Sequence, residues 1–164
     1  MWYAAPIAVT SVVLLIVLAS APWPVMFVAL LPAAAAHAAI YDWSARRPDA
    51  YPAVMAFLTG FLLDIVSSGV FGLGALTCVC AHYGGAAQRR FLSGRGFAPA
   101  WLGLALTAVM IAPVAWVAAS IYVGQFQPVG ALFALTLLTA AIYPAVALAL
   151  GGLRRVLFLD ARAS

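Results

Sequence analysis

The chain contains no lysine and no glutamate, and only 7% of its residues are charged. Soluble domains carry roughly 25% charged residues, so this chain cannot cover its surface with charge as a water-soluble protein does. Because 67% of the residues are hydrophobic and the mean hydropathy is +1.12, the sequence predicts an integral membrane protein. Its length indicates one membrane domain, residues 1–164, without a second domain.

Cysteine is scarce, and the sequence motifs of hydrolases and phosphate-binding loops are missing. Cys78 and Cys80 are two residues apart on a predicted helix, so they point to different faces and cannot form a disulfide with each other. The sequence has no G-x-S-x-G, no H-E-x-x-H and no paired carboxylates. We therefore expect no enzyme activity, no cofactor and no metal site.

Turn residues and charge clusters divide the sequence into six apolar runs. The runs cover about residues 3–20, 23–41, 51–66, 73–87, 98–122 and 129–150. A bilayer core needs about 20 residues of helix and tolerates about 17, so the first, third and fourth runs are short spans. The sequence predicts an all-α fold of six transmembrane helices in one bundle, with a charged loop beginning at Asp42 between the second and third helices.

The arginines indicate the orientation of the chain. Arg46 and Arg47 follow the second run, Arg89, Arg90 and Arg95 the fourth, and Arg154, Arg155 and Arg162 the sixth. The connections after the first, third and fifth runs carry no charge. By the positive-inside rule, we expect a multi-pass membrane protein with both termini in the cytoplasm. The basic clusters are topology signals first, and contact with anionic lipid or with a cytoplasmic partner is a secondary role, so we expect no nucleic-acid partner.

The end of the first run leaves an alternative open. Ala19-Ser20-Ala21 resembles a signal-peptide cleavage site. No lysine or arginine precedes the run, however, and its length suits a retained span, so we favour a retained helix. A mature chain without its first ~21 residues would contradict the six-span topology.

Asp64 is the only acid within an apolar run, in the segment Gly60–Leu76 with the sequence GFLLDIVSSGVFGLGAL. A carboxylate in hydrocarbon is costly unless it faces a cavity, a partner helix or an interface. Helical spacing predicts one smaller, more polar face, opposite Leu58, Leu62, Ile65 and Val66. The members of that face are Phe57, Gly60, Phe61, Asp64, Ser67 and Ser68. The glycines that follow Asp64 predict a hairpin turn near the outer end of the third span.

Two interpretations of this segment remain open. Asp64 either caps the turn locally through backbone N–H groups, or forms part of a surface that binds a partner or lines a cavity. The candidate residues for either role are Gly60, Asp64, Ser67, Gly69, Gly72 and Gly74. A proton relay is disfavoured because no second acid lies in any of the six runs.

His37 and His82 are the remaining polar candidates. Counting along the spans places both in the cytoplasmic third, at similar depth, and neither level with Asp64. Two histidines without a third ligand do not make a metal site. We expect them to form hydrogen bonds between helices.

These features together resemble the MreD family, the rod-shape-determining integral membrane proteins of bacteria. The segment GFLLDIVSSGVFGLGAL is similar to that family's pattern of Gly, then Asp four residues later, then Gly and hydrophobic residues. The break Pro22-Trp23-Pro24, Tyr83 before a basic loop and a proline-containing last span that ends in arginines add to the resemblance. It covers most of the chain, and Gly60, Asp64 and Gly72 match the family's signature.

The resemblance implies a non-enzymatic component of the cell-elongation machinery that makes peptidoglycan. It implies binding to MreC and indirect association with RodA, a class B penicillin-binding transpeptidase and the MreB filament. It also implies a fold like the substrate-binding subunit of energy-coupling-factor transporters. The alternative function is therefore a vitamin-type small-molecule binding subunit of a transporter, although few polar groups are available for such a pocket: Asp64, His37, His82, Thr59 and Gln125.

Overall fold

The computed structural model describes residues 4–19, 30–67, 70–92 and 96–160. Within these ranges the chain forms six α-helices and the short 3₁₀ helix Pro48–Ala50, and no strand. The helices are α1 (Ala4–Ala19), α2 (Leu31–Arg46), α3 (Ala53–Ser67), α4 (Leu73–Leu92), α5 (Phe97–Val123) and α6 (Val129–Asp160). The prediction of an all-α fold is confirmed.

Two of the described helical segments are long and apolar enough to cross a membrane. They are Phe97–Val123 and Phe133–Gly152, each with a mean hydropathy of 2.1, and Ala53–Val66 is a shorter apolar helix. Length and composition alone therefore favour membrane association through α5 and α6. That the chain crosses the membrane six times remains a prediction.

Three helices continue beyond the ends of the apolar runs. The structure ends α2 at Arg46 instead of Tyr41, α4 at Leu92, and α6 at Asp160. The prediction that Asp42 begins a loop is wrong, because Asp42 lies inside α2 and is only 1% exposed. A drop in hydropathy does not end a helix when the polar side chain has partners within the fold.

Helices α2 and α4 form the centre of the molecule. Helix α2 contacts α1, α4 and α6, and α4 also contacts α3 and α5. Thirteen of the sixteen residues of α2 are buried. The run Ala34–Ala36 is at most 2% exposed, and such small side chains let neighbouring helices approach closely. The core therefore depends on small residues more than on large aliphatic ones.

Hydrogen bonds between side chains define the relative direction of α2 and α4. His37 bonds to Thr77, and farther along both helices Ser44 bonds to His82. Because the residue number rises on both helices together, α2 and α4 are parallel. Their basic C-terminal turns, which contain Arg46 on α2, therefore lie at the same end of the molecule.

Helix α5 is antiparallel to α4. Gln88 donates to the carbonyl oxygen of Gly103, whereas Gly84, one turn earlier on α4, lies against Thr107, one turn later on α5.

Helix α6 is antiparallel to α5 in turn. Trp101 donates to the carbonyl oxygen of Ala140, and Trp116 donates to that of Gln127, just before α6 begins. Helices α2, α4 and α6 therefore run in one direction and α5 in the other. Helix α3 is also antiparallel to α4, because Asp64, late in α3, bonds to Gly72 just before α4, whereas Gly60, one turn earlier, lies against Gly74 and Ala75.

Broad apolar surfaces cover the outside of the bundle. On α3, Val54, Phe57, Leu58, Phe61, Leu62, Ile65 and Val66 are each at least 42% exposed. On α5, Leu102, Leu106, Val109, Met110, Val114, Val117 and Ile121 are each at least 46% exposed. Soluble monomers rarely expose apolar patches of this extent, so these faces suit contact with lipid.

Candidate functional site

The carboxylate of Asp64 accepts three backbone hydrogen bonds at the start of α4. The donors are the N–H groups of Gly72, at 2.9 Å, Gly74, at 2.7 Å, and Ala75, at 3.3 Å. Asp64 is 6% exposed. The first N–H groups of a helix lack partners within the helix, and a negative charge there interacts favourably with the helix dipole. Asp64 on α3 thus caps the N-terminus of the next helix.

Gly60 and Gly74 mark the place where α3 and α4 are closest. A Cβ atom on Gly60 would collide with the backbone of Gly74 and would lie 2.6 Å from the Cα of Ala75. A Cβ atom on Gly74 would collide with the Asp64 carboxylate and would lie 2.8 Å from the carbonyl oxygen of Gly60. The absence of a side chain at both positions allows the carboxylate to reach the N-terminus of α4.

The turn before α4 contains Gly72 in a left-handed conformation, with φ of 89°. Leu73 N–H donates to the carbonyl oxygen of Val70 at 3.1 Å, which closes the turn. Phe71, at its tip, is 59% exposed. Of the other candidate residues, Ser67 ends α3, and Gly69 lies outside the described residues.

The face of α3 that packs inward differs from the predicted one. The buried residues are Ala56, Thr59, Gly60, Leu63 and Asp64. The prediction that Phe57 and Phe61 share this face is wrong. Their side chains are 50% and 42% exposed, and their rings stack on each other with centroids 6.3 Å apart. Helix α4 packs against α3 at Gly60. The buried side of α3 is therefore the side of Gly60, and the two aromatic rings lie outside it.

A second buried acid lies at the other end of the bundle. Asp42 Oδ1 accepts a hydrogen bond from Arg46 Nε at 2.8 Å and another from the Tyr143 hydroxyl at 3.1 Å. Tyr143 is fully buried. A second acid therefore lies within a helix, because α2 extends past the end of the predicted run 23–41. The spacing of Asp42 and Arg46, four residues apart, was the available signal for a helical ion pair.

The two acids are far apart. Tyr41, next to Asp42, donates to Gln88 Oε1 at 2.8 Å, whereas Asp64 bonds to Gly74. Fourteen residues of α4 separate Gln88 from Gly74, which corresponds to about 20 Å. The two carboxylates therefore do not form a catalytic pair, and each stabilises its own end of the bundle.

Gln88 connects three helices. Besides accepting from Tyr41 on α2, its Nε2 donates to Thr107 Oγ1 at 2.8 Å and to the carbonyl oxygen of Gly103 at 3.2 Å, both on α5. Where helices pack together in lipid, hydrogen bonds such as these contribute to an association that the hydrophobic effect does not drive. The sequence did not predict a role for Gln88, because a single glutamine next to Arg89 and Arg90 is typical of a polar loop.

Both histidines form the expected hydrogen bonds between helices. His37 Nε2 lies 2.9 Å from Thr77 Oγ1, and His82 Nδ1 lies 2.8 Å from Ser44 Oγ. Their predicted similar depth is wrong: His37 is level with Thr77, five residues before His82, or about 7.5 Å along α4. In the described part of the chain, no three metal-ligating side chains form a group.

Three cavities adjoin α5. A central one of about 30 Å³ lies between α2, α4, α5 and α6. A crevice of about 370 Å³ lies between α4 and α5 and includes Gln88 and Thr107 in its lining. Another, of about 350 Å³, lies between α5 and α6 and is lined by apolar side chains such as Trp116 and Phe133, with Thr136 as its one polar member.

The chain was compared with protein-family models, with curated proteins and with solved structures, and nothing matches. The resemblance to MreD and to the energy-coupling-factor subunit thus remains a prediction from the sequence segment around Asp64. What the structure adds is the role of that segment as a capped, closely packed corner between α3 and α4.

Proposed function

We propose that this chain is a six-span protein of the bacterial inner membrane that belongs to the cell-elongation machinery, as its resemblance to MreD implies. In this role it is not an enzyme. It binds MreC on the outer side of the membrane and, through MreC, supports RodA, the class B penicillin-binding transpeptidase and the MreB filament.

The helix directions support six spans with both termini in the cytoplasm. Helices α2, α4 and α6 run in one direction, and their C-terminal parts contain Arg46, Arg89, Arg90, Arg154 and Arg155. The opposite end contains the α3–α4 turn and the uncharged α5–α6 turn. Among the described residues, the arginines lie at one end of the bundle, which is the distribution expected of a cytoplasmic face.

The observation that carries the proposed binding site is the capped α3–α4 corner. Asp64 is too deeply buried to touch a partner, but its three backbone hydrogen bonds hold the turn beside it. Phe71, 59% exposed, projects from this turn. Asp64 is thus a positioning residue, and the exposed turn around Phe71 is the surface offered to MreC.

Co-purification of MreC with this protein tests the proposed binding site. The variant Phe71→Ser removes the exposed ring without touching the cap, and Asp64→Leu removes the cap itself. We expect both variants to lower MreC recovery and to change cell width, with Phe71→Ser leaving the melting temperature unchanged. A matched control is Phe133→Ser, because Phe133 is 68% exposed but lies on α6, away from the turn.

Two outcomes contradict the proposed binding site. One is normal MreC recovery and normal cell width with Phe71→Ser and Asp64→Leu, provided both variants reach the membrane in wild-type amounts. The other is equal loss of MreC with Phe71→Ser and with the Phe133→Ser control, which would mean that any exposed aromatic residue matters.

A small-molecule binding subunit of a transporter is the second candidate function. The α4–α5 crevice of about 370 Å³ falls within the size range of small-molecule pockets. Of its polar groups, Gln88 and Thr107 already bond to each other, which leaves the Tyr83 hydroxyl and the Cys80 thiol to orient a ligand. Native mass spectrometry of the protein from gentle detergent distinguishes this function, which requires a small molecule bound in stoichiometric amount.

A further inference from the structure

The crevice of about 370 Å³ between α4 and α5 lies on the outside of the bundle. The side chains along its rim are exposed, with Tyr83 at 60%, Leu106 at 58% and Met110 at 62%. Helix α5 is long and apolar enough to cross a membrane. In the topology proposed above, the crevice therefore faces lipid.

The inner wall of this crevice offers mainly hydrocarbon to a ligand. Gln88 accepts a hydrogen bond from Tyr41 and donates one to Thr107, so its amide is occupied within the protein. The Tyr83 hydroxyl and the Cys80 thiol are its other polar side-chain groups. The larger aliphatic side chains of the lining are Leu106, Met110, Ile111 and Val114. Such a lining suits an alkyl chain better than a polar metabolite, which needs several convergent polar groups.

The crevice has nearly the length of the hydrocarbon layer of one leaflet. Its lining runs from Cys80 to Gln88 on α4 and from Leu106 to Val114 on α5. Eight residues of helix correspond to about 12 Å, and half of a bilayer core is about 15 Å thick. An acyl chain that lies along the crevice therefore stays within one leaflet, with its headgroup at one end of the crevice.

Positive charge lies at the end of the crevice nearest to Gln88. The last turn of α4 contains Arg89 and Arg90 and no acid. Arg90 is exposed and comes seven residues after Tyr83, which places it nearly in line with Tyr83 along the rim. A guanidinium group binds phosphate oxygens through paired hydrogen bonds. A basic residue beside a crevice between membrane helices is the arrangement that recognises an anionic lipid headgroup.

We propose that the α4–α5 crevice binds one anionic phospholipid, with an acyl chain against Leu106 and Met110 and its phosphate on Arg90. The lipid belongs to the leaflet at the arginine-bearing end, which is the cytoplasmic leaflet in the proposed topology. The α5–α6 crevice is also apolar, but it lies beside the uncharged turn that precedes Val129 and offers no cation to a headgroup. This inference rests on the proposed topology and uses none of the residues of the α3–α4 turn.

Native mass spectrometry of the full-length protein in nonionic detergent tests the lipid site. The probes are equal amounts of phosphatidylglycerol and phosphatidylcholine with identical acyl chains, and we expect one phosphatidylglycerol to be retained preferentially. Met110→Trp fills the crevice and should abolish this retention. The matched control is Val109→Trp, because Val109 is the preceding residue, is 51% exposed and lines the α5–α6 crevice instead. Since both positions are exposed, neither variant should lower the melting temperature.

A second pair of variants tests the contact with the headgroup. Arg90→Gln should lower the preference for phosphatidylglycerol about fivefold, which corresponds to the contribution of one arginine near anionic lipid. Arg90→Lys should keep most of the preference. Arg89→Gln is the control with the same loss of charge, because Arg89 comes nine residues after Cys80 and thus lies on the opposite side of α4.

Three outcomes would overturn the lipid site. They are equal retention of the two lipids by the wild-type protein, equal loss with Met110→Trp and Val109→Trp, and equal loss of preference with Arg90→Gln and Arg89→Gln. Lower MreC recovery with Met110→Trp at unchanged lipid retention would also overturn it, by assigning the crevice to a partner helix. Because these lipid measurements contain no MreC, failure of the lipid site is distinguishable from failure of the proposed binding to MreC.

Discussion

Asp64 accepts a hydrogen bond of 2.7 Å from the backbone N–H of Gly74, which lies ten residues farther along the chain. The acid on one helix thereby closes the N-terminus of the next helix. Asp64 is only 6% exposed, so the N–H groups that it caps depend on an acceptor from the protein. This one contact explains why an acid and a glycine-rich turn occur together in the sequence.

Loss of the Asp64 cap should destabilise the protein. We expect Asp64→Leu to lower the free energy of unfolding by about 3 kcal/mol, because three N–H groups lose a charged acceptor. Asp64→Asn keeps one acceptor oxygen and should lose about half as much. Unfolding followed by tryptophan fluorescence in detergent measures the difference, and equal stability of Asp64→Leu and the wild type would contradict the capping role.

Gly60→Ala should be destabilising although alanine favours helices. Its Cβ atom would overlap the backbone of Gly74, and forcing extra volume into a packed contact costs about 1–3 kcal/mol. The control is Gly130→Ala, whose Cβ atom would meet no other atom within 4 Å. The melting temperature should fall for Gly60→Ala and stay level or rise for the control, and the reverse order would contradict the close crossing of α3 and α4.

The buried Asp42–Tyr143 hydrogen bond should contribute modestly by itself. We expect Tyr143→Phe to cost about 1 kcal/mol, because Asp42 Oδ1 keeps its bond to Arg46. Asp42→Leu should cost more, because it leaves the buried Tyr143 hydroxyl without its acceptor. The double variant should be no less stable than Asp42→Leu, and additive losses in chemical denaturation would show that the two side chains act separately.

Labelling of single cysteines tests the six-span topology. In a background with Cys78→Ala and Cys80→Ala, the exposed positions Asp49 and Gln125 are each replaced by cysteine. A membrane-impermeant maleimide should label Gln125→Cys in intact spheroplasts and Asp49→Cys only after the membrane is opened. Labelling of both sites from the same side would contradict the alternating topology.

The extent of α3 and α5 was readable from the sequence, whereas α2, α4 and α6 extend beyond their predicted runs. The predicted runs 51–66 and 98–122 agree within two residues with α3 and α5, because long apolar stretches bounded by turn residues are a local property. Of the predicted run 23–41, residues 23–29 lie outside the described residues, and Leu31 begins α2. The predicted end of the second helix before Asp42 was wrong. From the sequence alone, an isolated polar residue that begins a loop cannot be distinguished from one that continues a helix.

The residues of the α3–α4 corner were identified from the sequence, but their geometry was not. Asp64, Gly60 and Gly74 were singled out by their residue types, and the capping interpretation was one of two that stayed open. The pairing of Asp64 with α4 and the exposure of Phe57 and Phe61 depend on the side from which α4 approaches. Helical periodicity gives the angle between side chains on one helix but not the direction of its neighbour.

By itself, the sequence determined that this protein is helical and apolar, that its positive charge occurs in three clusters, and that a glycine turn follows Asp64. These properties follow from composition and from neighbours within a few residues. Only the tertiary structure decided that Asp64 caps α4, that Asp42 is buried with Tyr143, 101 residues away, and that His37 faces a cavity shared by four helices. These partners are distant in the sequence and meet only when the helices pack. A buried polar group without a hydrogen-bond partner costs free energy, so the packing that supplies the partner is favoured.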